Sequence, residues 1–204
     1  MRNLAILIFD DVEVLDFAGP FEVFSVCGLR SGNEKPFNVY TVAEKEIITA
    51  RNQLKIIPHY TLQNSPIPDI FLLPGGGGIH PDGTPFGSRR EMNNKPLLEW
   101  IRQQNKKAEM LLSVCTGSLL LGKAGLLEGL SATTHWKAVE TMRTAAPNTT
   151  LLPEKRWVDN GRIILSAGIS AGIDMSLYVI SKLLGKEAAD ETAQYMQYEH
   201  WSNL

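Results

Sequence analysis

Glu109-Met-Leu-Leu-Ser-Val-Cys115-Thr-Gly117-Ser-Leu-Leu-Leu-Gly-Lys-Ala124 decides the fold. An apolar run of strand length stops at a cysteine, and a stretch of helical period begins at once. This is the pattern of a nucleophile elbow, a tight strand-to-helix turn that lifts a reactive side chain above a sheet. Ser113 and Gly117 stand two residues either side of Cys115, where the turn leaves little room for bulk. A thiol placed there also lies near free N–H groups of a helix start, which favour thiolate. The alternative is a buried, inert cysteine.

Outward from the elbow, short apolar runs alternate with longer periodic stretches, the pattern of an α/β domain with a mainly parallel sheet. Strands are predicted at Leu4 to Phe9, Phe37 to Val42, Ile70 to Leu73 and Met110 to Val114. Helices are predicted at Gly19 to Leu29, Pro96 to Lys107, Thr116 to Leu127, His135 to Ala145 and Ala171 to Leu184, with Pro20 and Pro96 in first turns. Hairpins are expected at Ile47 to Ile57 around Arg51-Asn52 and at Arg156 to Leu165 around Asp159-Asn160-Gly161. Tyr195, Tyr198 and Trp201 read as a helix face docked on the body or on a second subunit.

The bulk properties set limits. The 204 residues fit one domain, residues 1–204, large enough to fold without disulfides or metals. A net charge of −2 with interspersed signs gives no footprint for nucleic acid or an anionic membrane, so a small-molecule substrate is the expected partner. Cys27 and Cys115 make no disulfide framework, and His59, His80 and His200 lack ligand spacing, so no metal site is expected. The N-terminal apolar run ends at Asp10 and reads as a first strand rather than a targeting segment. No run approaches the roughly 20 residues of a membrane helix. A cytoplasmic protein is the expectation.

In open α/β sheets, ligands collect at the carboxyl ends of the strands. Three segments share that address: Asp16 beyond the first strand, Pro74-Gly75-Gly76-Gly77-Gly78 after Leu73, and Cys115 after Val114. The glycines fit neither a phosphate loop nor a dinucleotide fingerprint. They read as an oxyanion nest, with the Thr116 N–H as a second donor, or, at Gly77 and Gly78, as a tight turn. Asp16 reads as a helix N-cap or as a general acid and base beside the thiol. His135 is a candidate base for Cys115 or a packed histidine beside Trp136. Ser170 is placed to cap the helix that follows it.

Together, Leu15-Asp-Phe-Ala-Gly-Pro-Phe-Glu-Val-Phe24, Leu73-Pro-Gly-Gly76, Ser113-Val-Cys-Thr-Gly-Ser118, Ala124-Gly-Leu-Leu-Glu-Gly129, Ala132-Thr-Thr-His-Trp136 and Ala171-Gly-Ile-Asp174 resemble the ThiJ/PfpI superfamily. Within it the chain is most similar to isonitrile hydratases and to the amidase-like sensor domains of AraC-type regulators. The resemblance implies a flavodoxin-like three-layer sandwich of the class I glutamine amidotransferase type, usually a homodimer, with Cys115 as the nucleophile. It implies Asp16 as the acid beside the thiol, Thr116 as the residue after the nucleophile and Ile169 as a backbone position near the cysteine. Gly75 and Gly76 would serve substrate or oxyanion binding, and the position of His135 is catalytic in only some relatives. The implied reaction is cofactor-free hydration of an isonitrile to a formamide. Amidase, peptidase or glyoxalase-like hydrolysis and a non-enzymatic or redox sensor are the alternatives. No basic helix-turn-helix is seen, so direct DNA binding is not expected. The loop from Ile79 to Arg90 is longer and more polar than in the hydratases, which points to a reshaped pocket mouth.

Overall fold

The computed structural model describes residues 1–28 and 35–199. Leu29, His200 and Trp201 therefore lie outside the described residues. A seven-stranded sheet is built from β1 (Arg2–Leu7), β2 (Phe37–Ala43), β3 (Tyr60–Thr61), β4 (Ile70–Leu73), β5 (Met110–Val114), β6 (Trp157–Asp159) and β7 (Ile163–Ser166). Its order is β6-β7-β5-β4-β1-β2-β3. Every pairing is parallel except β6 with β7.

The central strands are apolar on both faces, because both faces are covered. Every residue of β4 and β5 is buried, as are Leu4 to Leu7 of β1. The cover comes from α1 (Val14–Val26), α2 (Ser88–Glu91), α3 (Lys95–Asn105), α4 (Gly117–Lys123), α5 (Val139–Ala145), α6 (Ala171–Leu184) and α7 (Lys186–Tyr195). Helices α1, α6 and α7 pack on one another, and α4 packs with α2 and α5, giving a three-layer α/β sandwich. Among the described residues no helix is long and apolar enough to cross a membrane.

Topology brings the loops together. The chain runs outward from β1 through β2 to β3, then returns to the other side of β1 as β4, so the strand order switches between β1 and β4. Ligand crevices form at such switch points. The register sets Leu73 beside Ser113 and Val114 beside Ser166, so the segments after β4, β5 and β7 leave the sheet side by side.

Several boundaries differ from those read in the sequence. Helix α1 begins at Val14, so Pro20 sits inside it rather than in its first turn. Proline there removes the partner only of the carbonyl four residues back, that of Asp16, and the preceding turn survives because Phe17, Val23 and Phe24 are buried. Pro96 does lie at the start of α3. Both expected hairpins form: Ile48–Thr49 pairs with Lys55–Ile56, and β6 with β7. The long loop after the glycines is itself a hairpin, Gly77–Ile79 against Pro85–Gly87, leading into α2. Of the C-terminal aromatics, Tyr198 packs on the core and donates to Asp174 at 2.8 Å, whereas Tyr195 is exposed.

Candidate active site

The turn after β5 is strained and pinned. Cys115 has φ of +57°, a left-handed conformation that costs a non-glycine residue roughly 1–2 kcal/mol. Four hydrogen bonds hold it. The Cys115 N–H donates to the carbonyls of Ser166 and Ala167 at 3.2 and 3.1 Å. Its carbonyl accepts from the hydroxyls of Ser118 and Thr134 at 3.0 and 3.1 Å. Gly117 is required by close approach, since a Cβ there would stand 2.0 Å from the Leu73 carbonyl oxygen.

Asp16 lies beneath the thiol and is wholly buried. It is not the N-cap of α1: that position is Glu13, and Asp16 turns away from its own helix to accept the Gly75 N–H on Oδ2 at 3.0 Å. Oδ1 is buried and, among the described residues, has no hydrogen-bond partner. Burial raises the carboxyl to about 7 against the pull of the Cys115 thiol and the Gly75 amide, with Glu13 adding to the rise. Burial likewise pushes the Cys115 thiol up to about 12; the Asp16 charge adds to the rise, and the Thr116 and Ile169 N–H groups oppose it. The thiolate expected from the helix start is thereby corrected: two amides do not offset burial beside a carboxylate. Thiol and carboxyl act as one titrating pair.

The glycines also differ from expectation. An open nest at Gly75 and Gly76 is corrected because both amides are already engaged, Gly75 with Asp16 and Gly76 with Thr116 Oγ1 at 3.0 Å. A Cβ on Gly75 would come within 2.5 Å of the Thr116 N and Oγ1 and 3.0 Å of Asp16 Oδ2. These glycines therefore let the loop after β4 clamp the acid and the residue following the thiol. Gly77 has φ of +95°, and a Cβ there would stand 2.2 Å from the Phe86 carbonyl oxygen; it permits the close pairing with Gly87 at the base of the hairpin rather than forming the tight turn itself.

The structure brings Asp16, Gly75, Gly76, Cys115, Thr116 and Ile169 together. Cys115, Thr116, Gly76, Ile169 and His135 line a cavity of about 430 Å³, and Asp16 lies sealed below it. His135 does not join the thiol: among the described residues no hydrogen bond links them. Its Nδ1 accepts the Lys137 N–H at 3.2 Å, its ring stacks on Trp136, and its edge covers Gly168. Burial lowers its pKa, followed by the charges of Lys137 and Arg89. Ser170 sits at the start of α6 without a side-chain cap; Arg156 donates to its hydroxyl instead.

Sequence reading missed Ser88. Its hydroxyl lies 2.7 Å from both the Gly76 carbonyl and Thr116 Oγ1, tying α2 to the site. Nothing in the local sequence marks it, because its partners are distant in the chain. Among the described residues no three His, Cys, Asp or Glu side chains gather as a metal site.

A strained cysteine turn on the carboxyl rim of a parallel sheet, seated over a buried acid, defines the class: a cysteine-centred three-layer α/β protein. The chain belongs to the DJ-1/PfpI family, whose sequence profile matches residues 2–182. It is 32% identical to an isonitrile hydratase of Pseudomonas putida over 198 residues, 96% of this chain and 78% of that protein. It is 26% identical to the HTH-type transcriptional regulator GbdR of Pseudomonas aeruginosa over 99% of this chain but only 52% of the regulator. Among solved structures, a ThiJ/PfpI family protein of Pseudomonas syringae superposes with a TM-score of 0.82 at 27% identity, covering 97% of this chain and 75% of that one.

Proposed function

We propose that the protein hydrates isonitriles to N-substituted formamides, R–N≡C + H₂O → R–NH–CHO, with Cys115 as nucleophile and Asp16 as proton carrier. One observation carries this reading: the group coupled to the thiol is a buried carboxyl raised to about 7, and among the described residues no imidazole is hydrogen-bonded to the sulfur. The similarity to an isonitrile hydratase over nearly the whole chain supports it.

The pair holds one proton between pH 7 and far alkaline pH. Moving that proton from sulfur to carboxyl gives thiolate beside carboxylic acid, the reactive tautomer. Sulfur attacks the terminal isonitrile carbon while Asp16 delivers the proton to that carbon, giving the thioimidate R–N=CH–S–Cys115. Water adds to the C=N bond, its proton passing to nitrogen. Collapse of R–NH–CH(OH)–S–Cys115 releases the formamide, and the departing sulfur and the hydroxyl proton restore the pair. A positioned acid–base group contributes about a hundredfold to ten-thousandfold in rate. The Thr116 and Ile169 amides steady the sulfur as it gains and loses charge.

The test is formamide production from a simple alkyl or aryl isonitrile by wild type, Cys115→Ala and Asp16→Asn. Turnover lost in both variants supports the reading. No turnover by a folded wild type whose Cys115 still alkylates would move the assignment to another cysteine-dependent reaction or to ligand sensing.

A further inference from the structure

The cavity above Cys115 has a mouth that differs in charge from its floor. Arg51, Arg89 and Lys137 line it together with a single carboxylate, Glu13. Three cations less one carboxylate leave a formal excess of +2 on a chain whose total is −2. The three come from separate elements: Arg51 from the turn of the Ile48–Ile56 hairpin, Arg89 from α2, and Lys137 from the 3₁₀ turn before α5.

Among the described residues, the two cations with ring contacts are held by aromatic faces rather than by carboxylates. The Arg51 guanidinium lies over the Phe86 ring at 5.3 Å and the Lys137 ammonium over the Trp136 ring at 5.0 Å. Among the described residues none of the three forms an ion pair. Their neighbours do: Arg90 pairs with Asp11 and Glu91, and Lys45 with Asp10. Aromatic faces fix the direction of a cation without cancelling its charge. A concave site lined by one sign of charge concentrates ions of the other sign. The charges of Lys137 and Arg89 also depress His135, so both act on the cavity interior.

We propose that the ligand presented to Cys115 is a small organic acid whose carboxylate is held by Arg89 and Lys137, which makes these two the specificity-determining residues. In the reaction proposed above, the substrate class is isonitriles bearing a carboxylate; that part rests on the hydration reading, whereas the preference for an anion does not. The polar hairpin from Gly77 to Gly87 acts here by delivering α2, and with it Arg89, to the mouth.

Alkylation of Cys115 separates the two parts. Iodoacetate and iodoacetamide both place a CH₂ carbon on sulfur and expel iodide, with the thiol proton passing to solvent, and they differ by one negative charge. The readout is the ratio of their rate constants at Cys115, followed by mass spectrometry and divided by the same ratio for 2-mercaptoethanol, so that changes in thiol reactivity cancel. The wild-type quotient is expected to be tenfold or more, falling to within twofold of unity in a folded Arg89→Gln/Lys137→Gln variant and in high salt. A wild-type quotient at or below unity overturns the proposal, as does a high quotient that the double variant retains. In parallel, isocyanoacetate is compared with its neutral methyl ester as substrate, with an expected tenfold advantage in kcat/KM for the acid. Formamide from neither compound, with the iodoacetate preference intact, rejects hydration and keeps the anion site. Efficient turnover of the ester with no iodoacetate preference does the reverse.

Discussion

Asp16 and Asp174 are both wholly buried, and both lie in the first turn of a helix, α1 and α6. Their surroundings are opposite. Asp174 is ion-paired with Arg156 and accepts the Tyr198 hydroxyl, so both oxygens are engaged. Among the described residues Asp16 has one backbone amide, a thiol and an oxygen with no hydrogen-bond partner. Burial alone therefore does not distinguish a reactive acid from a structural one. What accompanies the buried carboxylate decides: a cation and a hydroxyl occupy both oxygens of Asp174 as a brace, whereas burial without such partners raises the Asp16 carboxyl to about 7, where it can exchange a proton near neutrality.

Activity gives the largest contrast. Asp16→Asn keeps the acceptor for the Gly75 amide but carries no exchangeable proton, and its kcat/KM for isonitrile hydration should fall by about a hundredfold to ten-thousandfold. Asp174→Asn, where folded, should stay within about threefold of wild type, because it lies outside the cavity lining. The wild-type pH profile sharpens the comparison. Below about 7 the pair holds two protons and sulfur is a neutral thiol; above it one proton remains and the reactive tautomer becomes accessible. Hence kcat/KM should rise through pH 7 in wild type and in Asp174→Asn, and the inflection should vanish in Asp16→Asn.

Stability should reverse the ranking. The folded-state pKa of Asp16 is raised from 3.8 to about 7, so the folded state binds the proton more tightly than the unfolded chain. Its favourable contribution is complete below pH 3.8 and disappears as pH rises through 7. Relative to Asp16→Asn, wild type should lose up to about 4 kcal/mol between pH 4 and pH 8, the equivalent of that pKa change at 1.36 kcal/mol per pH unit. Asp174→Asn should instead destabilise by about 1–3 kcal/mol at neutral pH, a range that allows for Arg156 being partly exposed. Urea unfolding of the three proteins across that pH range tests both signs. A wild type that gains stability over Asp16→Asn as pH rises would remove the basis for a neutral acid at position 16.

The sequence shows much of this arrangement and hides the rest for physical reasons. The elbow is legible because strand, cysteine and helix are consecutive, and the rim is legible because parallel sheets gather strand ends. Two aspartates in apolar, glycine-containing helix starts look alike along the chain; Arg156 and Tyr198 distinguish them only after folding. The glycine run announces close approach but not what approaches, and its first two amides prove to be engaged by Asp16 and Thr116. Likewise the early start of α1, which carries Asp16 into its first turn, follows from packing that overrides the signal of Pro20.

The clamp around the pair supplies a smaller test. Thr116→Val deprives the buried Gly76 amide and the Ser88 hydroxyl of a shared acceptor, and an unsatisfied buried donor costs about 1–3 kcal/mol. Ser88→Ala leaves Gly76 bonded to Thr116 and should cost about 1 kcal/mol. Unfolding measurements should rank them in that order, while alkylation kinetics report whether the elbow moves.

The smallest effect is expected at His135, and it separates two ways of activating a thiol. A catalytic imidazole must reach the sulfur or its proton, and its removal costs about a hundredfold or more. Here Nδ1 is occupied by the Lys137 amide, the ring is stacked on Trp136, and burial with two nearby cations favours the neutral form. Glutamine can still accept from the same amide, so His135→Gln should change kcat/KM by less than about threefold and leave the inflection near pH 7 in place. Because that inflection belongs to the carboxyl–thiol pair, its persistence assigns proton transfer to Asp16. A hundredfold loss with the inflection abolished would place the proton on the imidazole and shift the chemistry toward a Cys–His hydrolase.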